Sequence, residues 1–232
     1  MKFVAPLRPQ QDKRRLGVCA LARFIGLISL IGLTLTQLSA CAPLLFGGAL
    51  AGGAVVATDR RSVGIQLEDE AIERRIGRAI DERYGKAPVH INPTSYNRKL
   101  LLVGEAPNAQ IAQDIEALAA QTENVRAVVN EIVQSAPSTT GNRLNDVTLA
   151  GKVRAALIDE RDVPAAAVKP TVERGVAYLL GRVTEAEGNA AARAVSRVDG
   201  LVRVVKVFDL ITEDELRALQ TQSNAPASPR KP

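Results

Sequence analysis

The chain is poor in the residues that catalysis and metal binding most often use. Its 232 residues include one His (His90), two Cys (Cys19 and Cys41) and no Trp. A His–Cys zinc cluster, a disulfide framework and a His-based triad all lack their parts. Aromatics make up 3 % of the chain, too few to stack the bases of single-stranded nucleic acid. No Gly-rich phosphate loop is present, because Gly47-Gly48 and Gly52-Gly53 are not followed by Lys-Ser or Lys-Thr. The acidic groups Glu68-Asp69-Glu70 and Asp159-Glu160-Asp162 do not follow a calcium-loop pattern and read as helix-end and loop charges. His90 falls in a predicted strand without a paired nucleophile in view. The residues therefore predict a protein that is not an enzyme and has no cofactor or bound metal. What the chain has in quantity is Ala, Val, Leu and Ile: apolar residues are 46 %, enough for a packed core in small units.

The apolar run 24–35 carries no charge, and at twelve residues it is too short to span a bilayer, which takes about 20. It follows Lys2, Arg8, Lys13, Arg14, Arg15 and Arg23, and a basic flank before a short apolar run reads as a secretory signal. The run leads into Leu38-Ser39-Ala40-Cys41, a Leu and two small residues before a Cys, which resembles the bacterial lipobox. This assigns 1–40 to a lipoprotein signal peptide and Cys41 to lipid attachment, where acyl chains such as palmitate bury CH₂ groups at about 0.8 kcal/mol each. In lipoprotein sorting an Asp after the Cys directs retention in the inner membrane, so Ala42 points to the outer membrane. With Cys19 removed and Cys41 capped, the mature chain has no thiol to pair, and its stability rests on packing.

The net charge of +5 also belongs to the signal. Residues 1–40 hold six Lys or Arg and one acid, and the remainder holds 24 of each sign, so the whole-chain charge gives no support for a nucleic-acid partner.

Residues 41–66 read as the anchor and a Gly- and Ala-rich tether, with Leu44, Leu45 and Phe46 beside the Cys. Beyond it the chain repeats at an offset of 77 residues. Asp69 falls on Asp146, Ile72, Ile76 and Ile80 on Leu149, Val153 and Leu157, Pro93-Thr94 on Pro170-Thr171, and Leu102-Val103-Gly104 on Leu179-Leu180-Gly181. Each copy predicts helix, strand, strand, helix, strand. The 72/76/80 spacing gives a helix stripe, the 100–103 run a strand, and the segments 108–122 and 185–198 the second helices. The expected fold is α+β, with each three-stranded sheet covered on one face by two helices. Copy 1 spans 67–134 and copy 2 spans 146–212. Residues 135–145 read as a polar linker and 213–232 as a disordered tail, with a short helical stretch after the acidic patch Glu213-Asp214-Glu215 and a Pro- and Ser-rich end from Asn224. Gly104 and Gly181 sit in the second strands, where a bend or close backbone approach is expected.

This architecture resembles the BON domain family of small periplasmic and membrane-associated modules. Several segments resemble the dual-BON outer-membrane lipoproteins of that family. They are Ala57-Thr58-Asp59-Arg60-Arg61-Ser62-Val63-Gly64, Leu101-Leu102-Val103-Gly104-Glu105-Ala106-Pro107-Asn108-Ala109, Val129-Asn130-Glu131-Ile132, Lys152-Val153-Arg154 and Gly181-Arg182-Val183-Thr184-Glu185. With the lipobox the resemblance covers 38–212. It implies a non-catalytic lipoprotein on the periplasmic side of the outer membrane. Such a protein would bind anionic phospholipid through its second domain and support envelope integrity, with a link to the division site.

The residues bear on that implication independently. On a helix over 146–158, Leu149, Val153, Leu157 and Ala150 share a core face. The opposite face carries Val147, Gly151, Ala155 and Ile158, with Lys152 and Arg154 on its flanks and Thr148 where a dual-BON relative has an aromatic. An apolar strip with basic shoulders suits an interfacial helix. The equivalent positions of copy 1 are Glu70, Arg74, Arg78 and Asp81, a face for water. The same strip would also serve to pack on the first domain or on another chain. A protein adaptor for outer-membrane assembly or cell-wall machinery is thus the alternative to a phospholipid binder. A small-molecule binder in a cleft between domains is the third class.

Overall fold

The computed structural model describes residues 59–85 and 88–224. The signal peptide, Cys41, the tether up to residue 58 and the end of the tail lie outside the described residues.

Two copies of one α+β unit follow each other. The first comprises α1 (Val63–Tyr84), β1 (His90–Tyr96), β2 (Lys99–Ala106), α2 (Ala109–Ala120) and β3 (Ala127–Gln134). The second comprises α3 (Thr140–Asp159), a short 3₁₀ turn (Ala165–Ala167), β4 (Val168–Glu173), β5 (Val176–Val183), α4 (Glu185–Ser196) and β6 (Arg203–Leu210). A last helix, α5, covers Glu213–Asn224. In each sheet the middle strand pairs antiparallel with the first and parallel with the third. The helix–strand–strand–helix–strand order is the expected one.

Helix starts differ from the sequence expectation, for local reasons. α1 begins at Val63, inside the segment read as tether, because Ser62 caps it by accepting a hydrogen bond from the Ile65 amide. α3 begins at Thr140, inside the segment read as linker, because the Thr139 hydroxyl accepts from the Asn142 amide. The connection between the copies therefore shortens to residues 135–139. The short helical stretch expected in the tail starts earlier, taking in the acidic patch, and runs from Glu213 to Asn224. Thr212 and Glu215 close a capping box there: the Thr212 amide donates to Glu215 Oε2 at 2.8 Å, and the Glu215 amide donates to Thr212 Oγ1 at 3.2 Å.

The strand turns repeat as well. Asn97 and Arg98 have φ of 53° and 64°, and Arg174 and Gly175 have 53° and 72°. Two residues with positive φ between antiparallel strands make a tight hairpin whose twist matches the sheet. One buried acid on the preceding helix holds each turn. Asp69 accepts from the Asn97 amide at 2.8 Å, the Arg98 amide at 2.7 Å and Ser95 Oγ at 2.7 Å. Asp146 accepts from the Arg174 and Gly175 amides at 2.9 and 2.8 Å. Asp69 is thus a buried turn clamp rather than a helix-end charge.

Each sheet is buried on both faces. In the first unit Leu100 and Leu102 face the helices and pack with Ile72, Ile76, Ile80 and Ile115. Leu101 and Val103 point the other way and meet Tyr178, Leu180 and Val207 of the second unit. Leu179 and Ala177 in turn face α3 and α4 with Leu149, Val153 and Leu157. Full burial of each such side chain contributes roughly 1.5–3 kcal/mol. The helices thus cover one face of each sheet, as expected, and the partner sheet covers the other. Thr94 Oγ1 and Thr171 Oγ1, equivalent at the 77-residue offset, meet at 3.1 Å, which marks an approximate two-fold relation between the units.

Charged pairs rim this contact. Asp209 bonds Lys99 Nζ at 2.6 Å, Arg126 Nη2 at 2.6 Å and Asn97 Nδ2 at 2.9 Å. Lys169 Nζ meets Glu73 Oε1 at 2.6 Å. Arg60, just before α1, grips Glu187 of α4 with two bonds of 2.6 and 2.7 Å and donates to the Arg182 carbonyl at 2.8 Å. Glu187 is itself the acid of a capping box with Thr184.

Candidate functional site

α3 has two unlike faces. Asp146, Leu149, Val153 and Leu157 are buried against the sheet and α4. All the residues singled out on the other face are exposed: Val147, Thr148, Gly151, Lys152, Arg154, Ala155 and Ile158. Val147 is 69 % and Ile158 70 % accessible, unusual values for β-branched apolar side chains in a folded unit. The structure adds Leu144, 63 % accessible, one turn before Val147 and Thr148. The sequence reading missed it because it lay in the presumed linker. The Thr139 cap and the 144/147/151/155/158 spacing were the signal that could have found it.

This stripe runs along one side of the helix, with Arg154 roughly 60° to one side of its centre and Lys152 roughly 100° to the other, at 100° per residue. Thr148 donates its hydroxyl to the Leu144 carbonyl at 3.0 Å, so its methyl group, not its oxygen, is the outward feature. Gly151 has nothing within 4 Å of where a Cβ would stand, so the face is open there. The first domain does not cover it. The two domains meet through their sheets, which removes the expectation that this face packs on the first unit.

The equivalent face of α1 is exposed too, but charged. Glu70, Arg74, Arg78 and Asp81 lie on it, and Arg74 pairs with Glu70 at 3.5 Å. The exceptions are Val63 and Leu67 in the first two turns, 60 % and 59 % accessible. Leu67 is the counterpart of Leu144, so the copies agree at that position and diverge after it. Among the described residues no helix is long and apolar enough to cross a membrane.

A second group of polar side chains gathers at one end of the sheet contact. His90, at the start of β1, faces Glu105 on β2 as its cross-strand partner. Glu173, at the end of β4, approaches from the second domain, with its Oε1 3.9 Å from His90 Nε2. Burial and the charges of Glu105 and Asp146 push Glu173 up to about 7. Burial and the charge of Arg143 hold His90 below its ordinary value. His90 is thus not an isolated strand histidine.

The BON domain family pattern matches residues 68–136 and 145–212, the two repeated units. The chain is 36 % identical over 180 residues to the outer membrane lipoprotein DolP of Haemophilus influenzae, covering 77 % of this chain and 92 % of that one. It is 31 % identical over 154 residues to a protein of Actinobacillus pleuropneumoniae named 21 kDa hemolysin, covering 66 % and 79 %. Among solved structures it is similar to CdsD, a structural protein of the type III secretion system of Chlamydia trachomatis. That match has 13 % identity, covers 70 % of this chain and 99 % of that one, and has a TM-score of 0.27, too low to carry an argument. The doubled fold, the 77-residue repeat and the match over both copies agree: the chain belongs to the BON domain family and carries two BON domains.

Proposed function

We propose that this is a lipid-anchored outer-membrane protein, facing the periplasm, that binds anionic phospholipid through the outer face of α3 and supports the integrity of the envelope. Cys41 is the proposed attachment point. The likeness to a protein named an outer membrane lipoprotein supports the location. One observation carries the lipid reading: an exposed apolar stripe of Leu144, Val147, Ala155 and Ile158, with Lys152 and Arg154 at its edges, on a helix whose copy in the first domain is charged at the same positions. On a membrane the methyl groups enter the acyl boundary, and each cation near the anionic surface contributes about 1 kcal/mol.

The test is co-sedimentation of the lipid-free fragment 59–224 with vesicles containing phosphatidylglycerol. Wild type partitions to the vesicles and is released by salt. Replacing Val147→Glu and Ile158→Glu together lowers partitioning by at least about tenfold, since charge is placed in the acyl boundary, with the melting transition unchanged. Equal sedimentation of the two proteins would refute the proposal. Intact lipid binding with loss of envelope proteins from a pull-down would favour the adaptor reading instead.

A further inference from the structure

The cluster of His90, Glu105 and Glu173 has a chemistry that the phospholipid face does not use. Each residue offers one ligand atom, and these three atoms lie within 4.8 Å of one another. Glu105 is fully buried and Glu173 nearly so, while His90 keeps 30 % of its side chain open to solvent. Arg174 Nη1 holds Glu105 Oε1 at 3.1 Å. The other oxygen, Oε2, is buried without any hydrogen-bond partner.

A buried carboxylate oxygen with no donor is costly, and a second carboxylate beside it raises the cost. A proton relieves one charge. A divalent cation relieves both and gives Oε2 a bonding partner. We infer that His90 Nε2, Glu105 and Glu173 form a binding site for a divalent transition-metal ion of the zinc type, bridging the two BON domains. Imidazole with two carboxylates suits such an ion better than Mg²⁺ or Ca²⁺, which take oxygen ligands. Ligand atoms on a tetrahedral ion at about 2.1 Å stand roughly 3.4 Å apart, so atoms within 4.8 Å of one another need close by at most about 1.4 Å. The solvent-open side of His90 gives the ion its entry and leaves a coordination position for water. Arg143, on α3, is the second cation nearby, and it competes with the ion for the same field.

The cluster is not a by-product of the repeat. At the 77-residue offset, His90, Glu105 and Glu173 correspond to Ala167, Arg182 and Tyr96, which hold no ligand set. Two ligands come from the first domain's hairpin and one from the second's, so the ion fastens the two domains at one end of their contact.

The full chain, purified in detergent and stripped with a chelator, is titrated with Zn²⁺ against a chromophoric competitor and separately with Co²⁺. The expected result is one ion per chain, Co²⁺ d–d bands with no thiolate charge-transfer band, and a melting transition raised by Zn²⁺ but not by Mg²⁺. His90→Ala and Glu173→Gln each weaken binding by about a hundredfold, while their metal-free melting stays near that of wild type. Should Glu173→Gln fail to fold, His90→Ala decides alone. Equal Zn²⁺ affinity in wild type and His90→Ala, or no saturable binding, would overturn the inference.

Discussion

Two glycines illustrate how differently one residue type is constrained in this chain. Gly104 has φ +123°, and a Cβ there would stand 2.1 Å from the His90 carbonyl oxygen. Its counterpart Gly181 would meet the Ala167 carbonyl at 2.5 Å. Both keep the second strand close to the first, the close approach that the sequence suggested. Gly151, by contrast, sits on an open helix surface. Gly104→Ala therefore destabilises the protein by at least about 2 kcal/mol, through backbone strain and displacement of β1. Gly151→Ala stabilises it by about 1 kcal/mol, the helix-propensity difference. Urea unfolding of the two variants checks both signs. The repeat offset made Gly104 and Gly181 legible as a pair. No spacing rule could bring His90 to Glu173, because that contact depends on how the domains dock.

At the scale of elements, the repeat revealed which helices and strands exist, and the caps decided where they start. Thr212 with Glu215 and Thr184 with Glu187 are both Thr-x-x-Glu boxes. The second opens an expected helix; the first draws the acidic patch Glu213-Asp214-Glu215 into a helix expected only after it. The apolar stretch Leu100, Leu101, Leu102 and Val103 reads as a strand, and its lack of alternation carries more. A strand apolar on consecutive positions is covered on both faces, and here the second cover is the other sheet. The Thr184 box is also where Arg60 docks, since Glu187 serves the helix end and the arginine at once. Burial would raise the Glu187 carboxyl, but the bonds from Arg60 and Thr184 outweigh it and hold the group below its ordinary value. Thr184→Ala costs about 1 kcal/mol. Combined with Arg60→Ala the losses are not additive, because both changes act through one carboxylate. A double-mutant cycle in chemical denaturation measures this. The absence of coupling would mean that the two bonds act separately.

For the molecule as a whole, the contact between the sheets joins an apolar centre to a charged rim, and Asp209 is the rim group with the most partners. Burial favours its neutral form. The hydrogen bonds from Lys99 and Asn97 and the charges of Lys99 and Arg126 more than offset that and depress its pKa. A depressed carboxylate contributes stability above its unfolded value, near 3.9, and loses it as the pH falls through the folded value. Asp209→Asn is therefore less stable than wild type at pH 7, by roughly 2 kcal/mol. The gap closes as the pH drops below about 4. Melting curves between pH 7 and pH 3 test it, and a constant gap would mean that Asp209 acts by packing rather than charge.

The meeting of Thr94 with Thr171 has a further consequence. Two equivalent residues touching across an approximate two-fold are what a symmetric dimer of single BON units would present, with each unit offering the same sheet face to the other. Residues 135–139 join such a pair into one chain. The union replaces a second-order encounter with an intramolecular one, so the partner is present at a concentration fixed by five residues of backbone rather than by expression level. Halves that cannot part need not be alike outside their contact: the outer face of α1 is charged beyond Leu67, and that of α3 is apolar.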